Sequence, residues 1–274
     1  MHVLYIVATP IGNLEDISAR ALRVLGEVQL ILAEDTRITR KLLARHKINT
    51  PLISYHEHNK TVKQSHILDA LSRHDVALVS DAGTPGVCDP GSELVSSAAS
   101  LGARVVSIPG PSAVAAAIAS SGISGKSYVF AGFFPRRKTE RHRLLSNLAR
   151  ETRTIVAFET PQRLTTVLKD ILDILGDRVI AVCREMTKLH EEIFHGTISE
   201  CIDHFSEPRG EFTLVITGAD PDSINHKPDS DAITARIDQL RNNELSAKLA
   251  TDALVAEFGL RRREAYRLWL NSKK

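Results

Sequence analysis

A chain of 274 residues, 43% hydrophobic and 25% charged, has the composition of an ordinary globular protein and can bury one large core or two modest ones. A net charge of +2 is too small to mark the whole chain as a polyanion binder, so any nucleic-acid surface must be local. The three cysteines, Cys88, Cys183 and Cys201, include no Cys-x-x-Cys; they argue against a disulfide framework and fit a reducing compartment. No basic leader precedes an apolar stretch and no apolar run reaches membrane-spanning length, so a cytoplasmic chain without a membrane partner is expected.

The first predicted strand is 3–7, followed by a proline/glycine loop over 8–13. Asp16 or Ser18 can cap a helix whose apolar positions Ile17, Ala21, Leu22 and Leu25 recur at helical spacing, with Gly26 as its stop. A buried strand over 28–33 runs into Glu34-Asp35-Thr36-Arg37 and a helix to about 47. A short strand over 52–55 precedes a helix over 64–73, and the run 76–79 is apolar on both faces, as a buried parallel strand requires. Pro85 and Pro90 remove backbone donors after it, while Gly83, Gly86 and Gly91 permit dihedrals closed to other residues. A helix over 93–101, a strand over 104–108, the turn Pro109-Gly110-Pro111-Ser112 and an alanine-rich helix over 113–121 complete the first half.

This alternation predicts a parallel sheet with helices on both faces. The glycine/proline loops at Pro10, Gly83 and Gly110 follow three of its strands, and parallel strands share their carboxyl ends, so all three should line one sheet edge. That edge is where open α/β sheets hold ligands. A boundary is expected near Gly122–Gly125. Beyond it, strands over 128–133, 154–158, 178–183 and 211–217 alternate with helices more tightly, which reads as a second α/β domain. Residues 219–231 read as a polar linker, and 233–240, 247–258 and 262–270 as helices with a helix-turn-helix look. The expected domains are 1–123, 124–219 and 220–274.

Several familiar sites are missing. There is no phosphate-binding Gly-x-x-x-x-Gly-Lys-Ser/Thr and no Gly-x-Gly-x-x-Gly fingerprint. His190-Glu191 and His195 are one residue off zincin spacing, His56-Glu57-His58 reads as a solvated loop rather than a metal site, and nothing resembles a hydrolase triad.

What remains is a set of glycine loops with charged strand ends, and its pieces resemble one family. Ala8-Thr9-Pro10-Ile11-Gly12-Asn13-Leu14, Ala33-Glu34-Asp35-Thr36-Arg37, Ser80-Asp81-Ala82-Gly83-Thr84-Pro85-Gly86, Asp89-Pro90-Gly91, Pro109-Gly110-Pro111-Ser112, Phe158-Glu159 and Arg184-Glu185-Met186-Thr187-Lys188 stand in the order of the ribosomal small subunit methyltransferase I family, within the tetrapyrrole methylase superfamily. The resemblance runs from about Leu4 to Thr217. It implies two α/β domains of tetrapyrrole-methylase type with S-adenosylmethionine in the cleft between them, and 2′-O-methylation of a cytidine in the decoding region of 16S ribosomal RNA. By position it implies that Pro10, Asp81, Gly83, Thr84, Ser112, Ala113, Glu159 and Thr213 hold the cofactor, and that the chain is a homodimer. Cys88, in a stretch that differs among family members, is given no role.

A ribose hydroxyl is a poor nucleophile, so a base or a nearby cation would help it. Lys188 and Glu185 are the first candidates, with Asp35 as a third; a plain salt-bridge cluster of Arg184, Glu185 and Lys188 is the alternative. RNA phosphates would be met by Arg136, Arg137 and Lys138, in a segment that also carries Arg141 and Arg143, and by Arg261, Arg262 and Arg263 near the carboxyl terminus; each could instead be a solvated face. Tyr266 and Trp269 read as core. The rivals are a tetrapyrrole or corrinoid methylase, and a non-catalytic 30S-binding module with a vestigial cofactor pocket.

Overall fold

The computed structural model describes residues 2–123, 125–221, 230–242, 245–258, 260 and 262–272. Its first sheet holds β1 (Val3–Val7), β2 (Leu30–Ala33), β3 (Leu52–Ser54), β4 (Val76–Val79) and β5 (Arg104–Ile108) in the order β3-β2-β4-β1-β5, every pair parallel. The helices between them are α1 (Ala19–Glu27), α2 (Thr36–Arg45), α3 (Lys60–Arg73) and α4 (Ser92–Ser100), with α5 (Ala113–Ser120) after β5.

The Val-Ala-Leu-Val run of β4 shows why this half is apolar throughout. Successive side chains point to opposite faces. Val76 and Leu78 join a core with Ile67 and Leu71 of α3 and Leu94 of α4, whereas Ala77 and Val79 join one with Leu25 of α1 and Leu43 of α2. Ser18, not Asp16, caps α1, its Oγ accepting from Ala21 N at 3.1 Å. The helix runs past Gly26 to Glu27. One glycine costs roughly 1 kcal/mol in a helix, less than the buried Val24 and Leu25 return by packing.

The second sheet, in the order β6-β7-β10-β8-β9, holds β6 (Tyr128–Phe133), β7 (Thr154–Glu159), β8 (Val179–Arg184), β9 (Glu192–Thr197) and β10 (Phe212–Ile216). Only β6 and β7 pair in parallel; the other three pairings are antiparallel. The connection over 185–191 is too short for the crossover a parallel neighbour needs, so β9 folds back beside β8. One face of this sheet packs on α6 (Lys138–Leu148), α7 (Pro161–Leu175) and α8 (Ile198–His204). Its other face, with Val156, Ala181, Cys183 and Val215, receives Val114 and Ala117 of α5. The alanines of α5 let its backbone approach that face closely, which fastens the two sheets together.

Both sheets belong to one compact unit, residues 1–218, and residues 219–274 form another. The second unit contains α9 (Ser230–Asn242), α10 (Ala247–Phe258) and α11 (Arg262–Asn271) around Ile237, Leu240, Leu254 and Trp269. Arg241 lies 5.1 Å from the Trp269 ring centre and donates to Trp269 O at 2.7 Å. Trp269 is core as expected, but Tyr266 is exposed. Most of the expected linker lies outside the described residues. Among the described residues no helix is long and apolar enough to cross a membrane.

Candidate active site

β4, β1 and β5 are neighbours, so the three glycine/proline loops leave the sheet side by side. Thr9 N donates to Gly83 O at 2.8 Å and Gly83 N to Thr9 O at 3.0 Å, tying the first loop to the second. Gly83 does this with φ of 80°, where a side chain would be strained. Facing these loops is the edge of the second sheet where β7 ends and β10 begins. Together they enclose a cavity of about 380 Å³, within the range of small-ligand sites.

Asp81, Gly83, Thr84, Ser112 and Ala113 line it from the first half, Glu159 and Thr213 from the second. Pro10 does not; it is buried, and its neighbour Ile11 lines the wall instead. Ser112 caps α5, its Oγ accepting from Ala115 N at 3.4 Å, which opens that helix beside the cavity.

Glu159 is 2% exposed. Its Oε1 accepts from Thr160 N at 2.8 Å, while Oε2 makes no hydrogen bond. Arg163 Nη2 lies 3.3 Å from Oε2 but donates instead to Phe134 O at 2.6 Å and Pro135 O at 3.2 Å. Burial raises the Glu159 carboxyl above the usual range, against the lowering effect of Thr160 and Arg163.

Adjacent acids at the end of β2 have different fates. Asp35 caps α2, accepts from Arg37 N at 2.8 Å and pairs with the Arg37 guanidinium; those hydrogen bonds hold it down to about 2. Such a carboxylate is a weak proton acceptor near neutrality, and Asp35 does not line the cavity, which argues against it as a base. Glu34 does line it, and burial followed by the charge of Asp81 raises its carboxyl. Asp89, also in the wall, is pushed up to about 6 by burial and by Glu34.

A folded-state value above the ordinary 3.8 means that stability is lost as pH climbs from about 4 through about 6, because the fold then holds an ionised Asp89 it disfavours. Asp89→Asn is expected to be about 1 kcal/mol more stable than the natural chain at pH 8, after allowance for solvent screening. At pH 4 the gain should vanish. Thermal melts at the two pH values check this, and equal differences at both would refute it.

Lys188 and Glu185 sit on a tight bend in which Glu185 and Thr187 take φ of 50° and 66°. Lys188 Nζ bonds Glu185 Oε1 at 2.9 Å and Glu211 Oε2 at 2.8 Å. Burial would lower Lys188, but those two carboxylates leave it raised, and Lys188 in turn keeps Glu185 low. Arg184 is not part of this cluster: it pairs with Glu192 at 2.9 Å and donates to Arg209 O. Neither Lys188 nor Glu185 lines the cavity; Glu211 does. Thr187 Oγ1 accepts from Asn13 N at 3.0 Å, so the bend is joined to the first loop.

Arg136, Arg137 and Lys138 are exposed. Arg141, counted with them by sequence, is 5% exposed; it pairs with Asp170 and donates to Pro135 O and Arg136 O at 3.0 and 3.1 Å, so it holds the basic segment rather than serving it. In the helical unit, Lys248, Thr251, Arg262, Arg263 and Tyr266 line an open depression, where Arg262 pairs with Asp252 at 2.6 Å. Arg261 lies outside the described residues.

The model of the tetrapyrrole (corrin/porphyrin) methylases matches residues 3–202. A ribosomal RNA small subunit methyltransferase I from Thermotoga maritima is 51% identical over 221 residues, covering 80% of this chain and 99% of its own. The chain belongs to the ribosomal RNA small subunit methyltransferase I family. A member of the ribosomal RNA small subunit methyltransferase I family from Synechocystis is 44% identical and covers 98% of each chain. A fold-level relative, a uroporphyrin-III C-methyltransferase from Thermus thermophilus, aligns with a TM-score of 0.58 and 18% identity over 79% of this chain and 97% of its own. The same enzyme bound to S-adenosyl homocysteine aligns with a TM-score of 0.58 and 19% identity.

Sequence reasoning did not put Glu34, Asp89, Phe133 and Glu211 among the site residues. For Glu34 a signal exists in the sequence: successive residues at a strand end face opposite ways, and an aspartate directly before a helix, as Asp35 is, suits a cap.

Proposed function

We propose that this chain transfers a methyl group from S-adenosylmethionine to the ribose 2′-hydroxyl of a cytidine in the decoding region of 16S ribosomal RNA, with the 30S subunit as its substrate. The observation that carries the reading is the cleft of about 380 Å³ in which three glycine loops face the buried Glu159 and Thr213. Bound there, S-adenosylmethionine supplies an electrophilic methyl group. The residues present fit it: Asp81 and the orphaned Glu159 Oε2 offer acceptors to ammonium, amino and hydroxyl groups, and the bare backbone at Gly83 admits a close approach. Arg136, Arg137 and Lys138 would take RNA phosphates, with Arg262 and Arg263 on the helical unit. Holding the two reactants in line supplies much of the rate.

Lys188 keeps its charge and neutralises Glu211 in the wall, so it lowers the repulsion that carboxylate would exert on an incipient alkoxide, with Glu185 fixing Lys188 in place. We also propose a cytoplasmic homodimer, with cofactor-binding halves over 1–123 and 124–219 and an RNA-binding extension over 220–274.

Incubation with labelled methyl donor and unmodified 30S particles, followed by mapping, should place the label on a decoding-region ribose. Label on a macrocycle substrate instead would favour the corrinoid rival, and absence of saturable donor binding would favour the vestigial module. In the same assay Lys188→Ala should slow single-turnover transfer by about 10-fold or more, since electrostatic groups of this kind contribute on the order of 10²-fold. A normal rate would remove Lys188 from the mechanism.

A further inference from the structure

Phe133 ends β6 and stands 49% exposed in the cleft wall, an aromatic ring that the hydrophobic cores do not use. It arrives there through an irregularity. The β6–β7 register runs Tyr128↔Thr154, Val129↔Ile155, Phe130↔Val156, then skips to Phe133↔Phe158. One extra residue on β6 is a β-bulge, and it reverses which face the next side chain takes. Three residues apart in a regular strand, Phe130 and Phe133 would point to opposite faces; opposite Val156 and Phe158 they share one. Gly132 makes the bulge possible with φ of 66°, and a Cβ there would come within 3.2 Å of Cys88 Sγ.

The ring is supported from behind. Phe158 lies with its centre 5.5 Å from Phe133 and 5.0 Å from Phe130, tilted or edge-on to each. Exposure divides the cleft into two compartments. Glu159, Phe212 and Thr213, all under 5% exposed, form a closed floor, while Val87, Cys88 and Phe133 form an open mouth. The mouth leads directly into the basic segment. Arg163 holds the carbonyls of Phe134 and Pro135, Arg141 those of Pro135 and Arg136, so the ring and the exposed cations Arg136, Arg137 and Lys138 share one pinned stretch of backbone between β6 and α6. A ring face beside exposed cations is what an unstacked nucleotide needs: a surface for its base and partners for its phosphates.

We propose that Phe133 is the stacking platform for the target base, a pyrimidine turned out of the RNA, while the adjoining cations grip its flanking phosphates. This rests on the RNA-methylation reading above. The cofactor belongs to the closed floor, where the Glu159 oxygen without a hydrogen bond lies, and the RNA base to the open mouth.

Three variants test it: Phe133→Ala, Phe133→Leu and Phe133→Tyr. Each is measured for S-adenosylmethionine affinity by equilibrium titration, and for single-turnover methylation across a range of 30S concentrations. Ala and Leu should lower the second-order rate by about 10- to 100-fold, the loss typical of one base–aromatic stack. Cofactor affinity should stay within about twofold, which also shows that the cleft is folded, and Tyr should restore nearly normal rates. A Leu variant as fast as the natural chain would reduce Phe133 to an apolar filler and overturn the proposal. A cofactor affinity that falls in step with the rate would assign the ring to the adenine of the donor, and overturn it equally. If the natural chain itself labels no 30S ribose, the underlying reading fails, and that result is visible before any variant is compared.

Discussion

Glu159→Ala is expected to weaken S-adenosylmethionine binding by about 10- to 100-fold while the empty protein melts no earlier than the natural chain. Nearly all buried polar atoms in folded proteins have a partner. Glu159 Oε2 is buried without a hydrogen bond, its nearest cation engaged with backbone carbonyls, and the residue lines the cleft. A ligand donor satisfies it most simply. Hydrogen bonds to charged groups are worth about 1.5–3 kcal/mol, which is the stated range in affinity. Glu159→Gln keeps the shape and one acceptor, so its loss should be smaller. The sign of the pH effect follows from burial. Because the folded carboxyl titrates above its ordinary value, the empty protein loses stability as pH rises from the ordinary 4.5 through the raised value. A donor on the ligand favours the ionised form, so affinity rises over the same interval, and Glu159→Gln should flatten both trends. Calorimetric titration at two pH values reads all of this. Unchanged affinity in the Ala variant would mean that Oε2 is a structural defect rather than a ligand partner.

The first half of the fold was legible because its signals are local. A buried parallel strand must be apolar on both faces, as β4 is, and the loops that follow carry the prolines and glycines that end it. Parallel order alone then brings Thr9 and Gly83 together. The second sheet was less legible: β8 and β10 have the same apolar runs, and strand direction depends on connection length and pairing rather than on composition. At the site, the misreadings are of orientation. Glu34 and Asp35 are chemically alike, and only the helix cap decides which faces the cleft. Arg141 looks like its exposed neighbours until Asp170, far away in sequence, claims it. Phe133 reads as an ordinary strand residue, because a bulge shows only when the partner strand is in view.

Removal of residues 231–274 is expected to reduce affinity for 30S particles by about 10-fold or more at physiological salt and to leave S-adenosylmethionine affinity unchanged. Among the described residues, the cores that build the cleft draw none from this segment, and the helices of the segment gather around their own Ile237, Leu254 and Trp269. What it takes away is charge. Arg263 and Lys248 line an open depression with exposed Tyr266, a pairing of cation and ring suited to RNA. Arg262 is partly spent on Asp252 and should count for less. Every phosphate that goes unneutralised lowers the dependence of log affinity on log salt by about 0.7 to 0.9, so two such phosphates should flatten the slope by about 1.5. The slope separates mechanisms that the affinity alone cannot. If truncation weakened binding by disturbing the rest of the chain, cofactor affinity would fall with it and the slope would hold. If the helices carry RNA phosphates, the slope changes and the cofactor does not notice. Unchanged affinity and slope together would make the cationic face of α10 and α11 a solvated surface, and would leave recognition of the subunit to the basic segment between β6 and α6 at the mouth of the cleft.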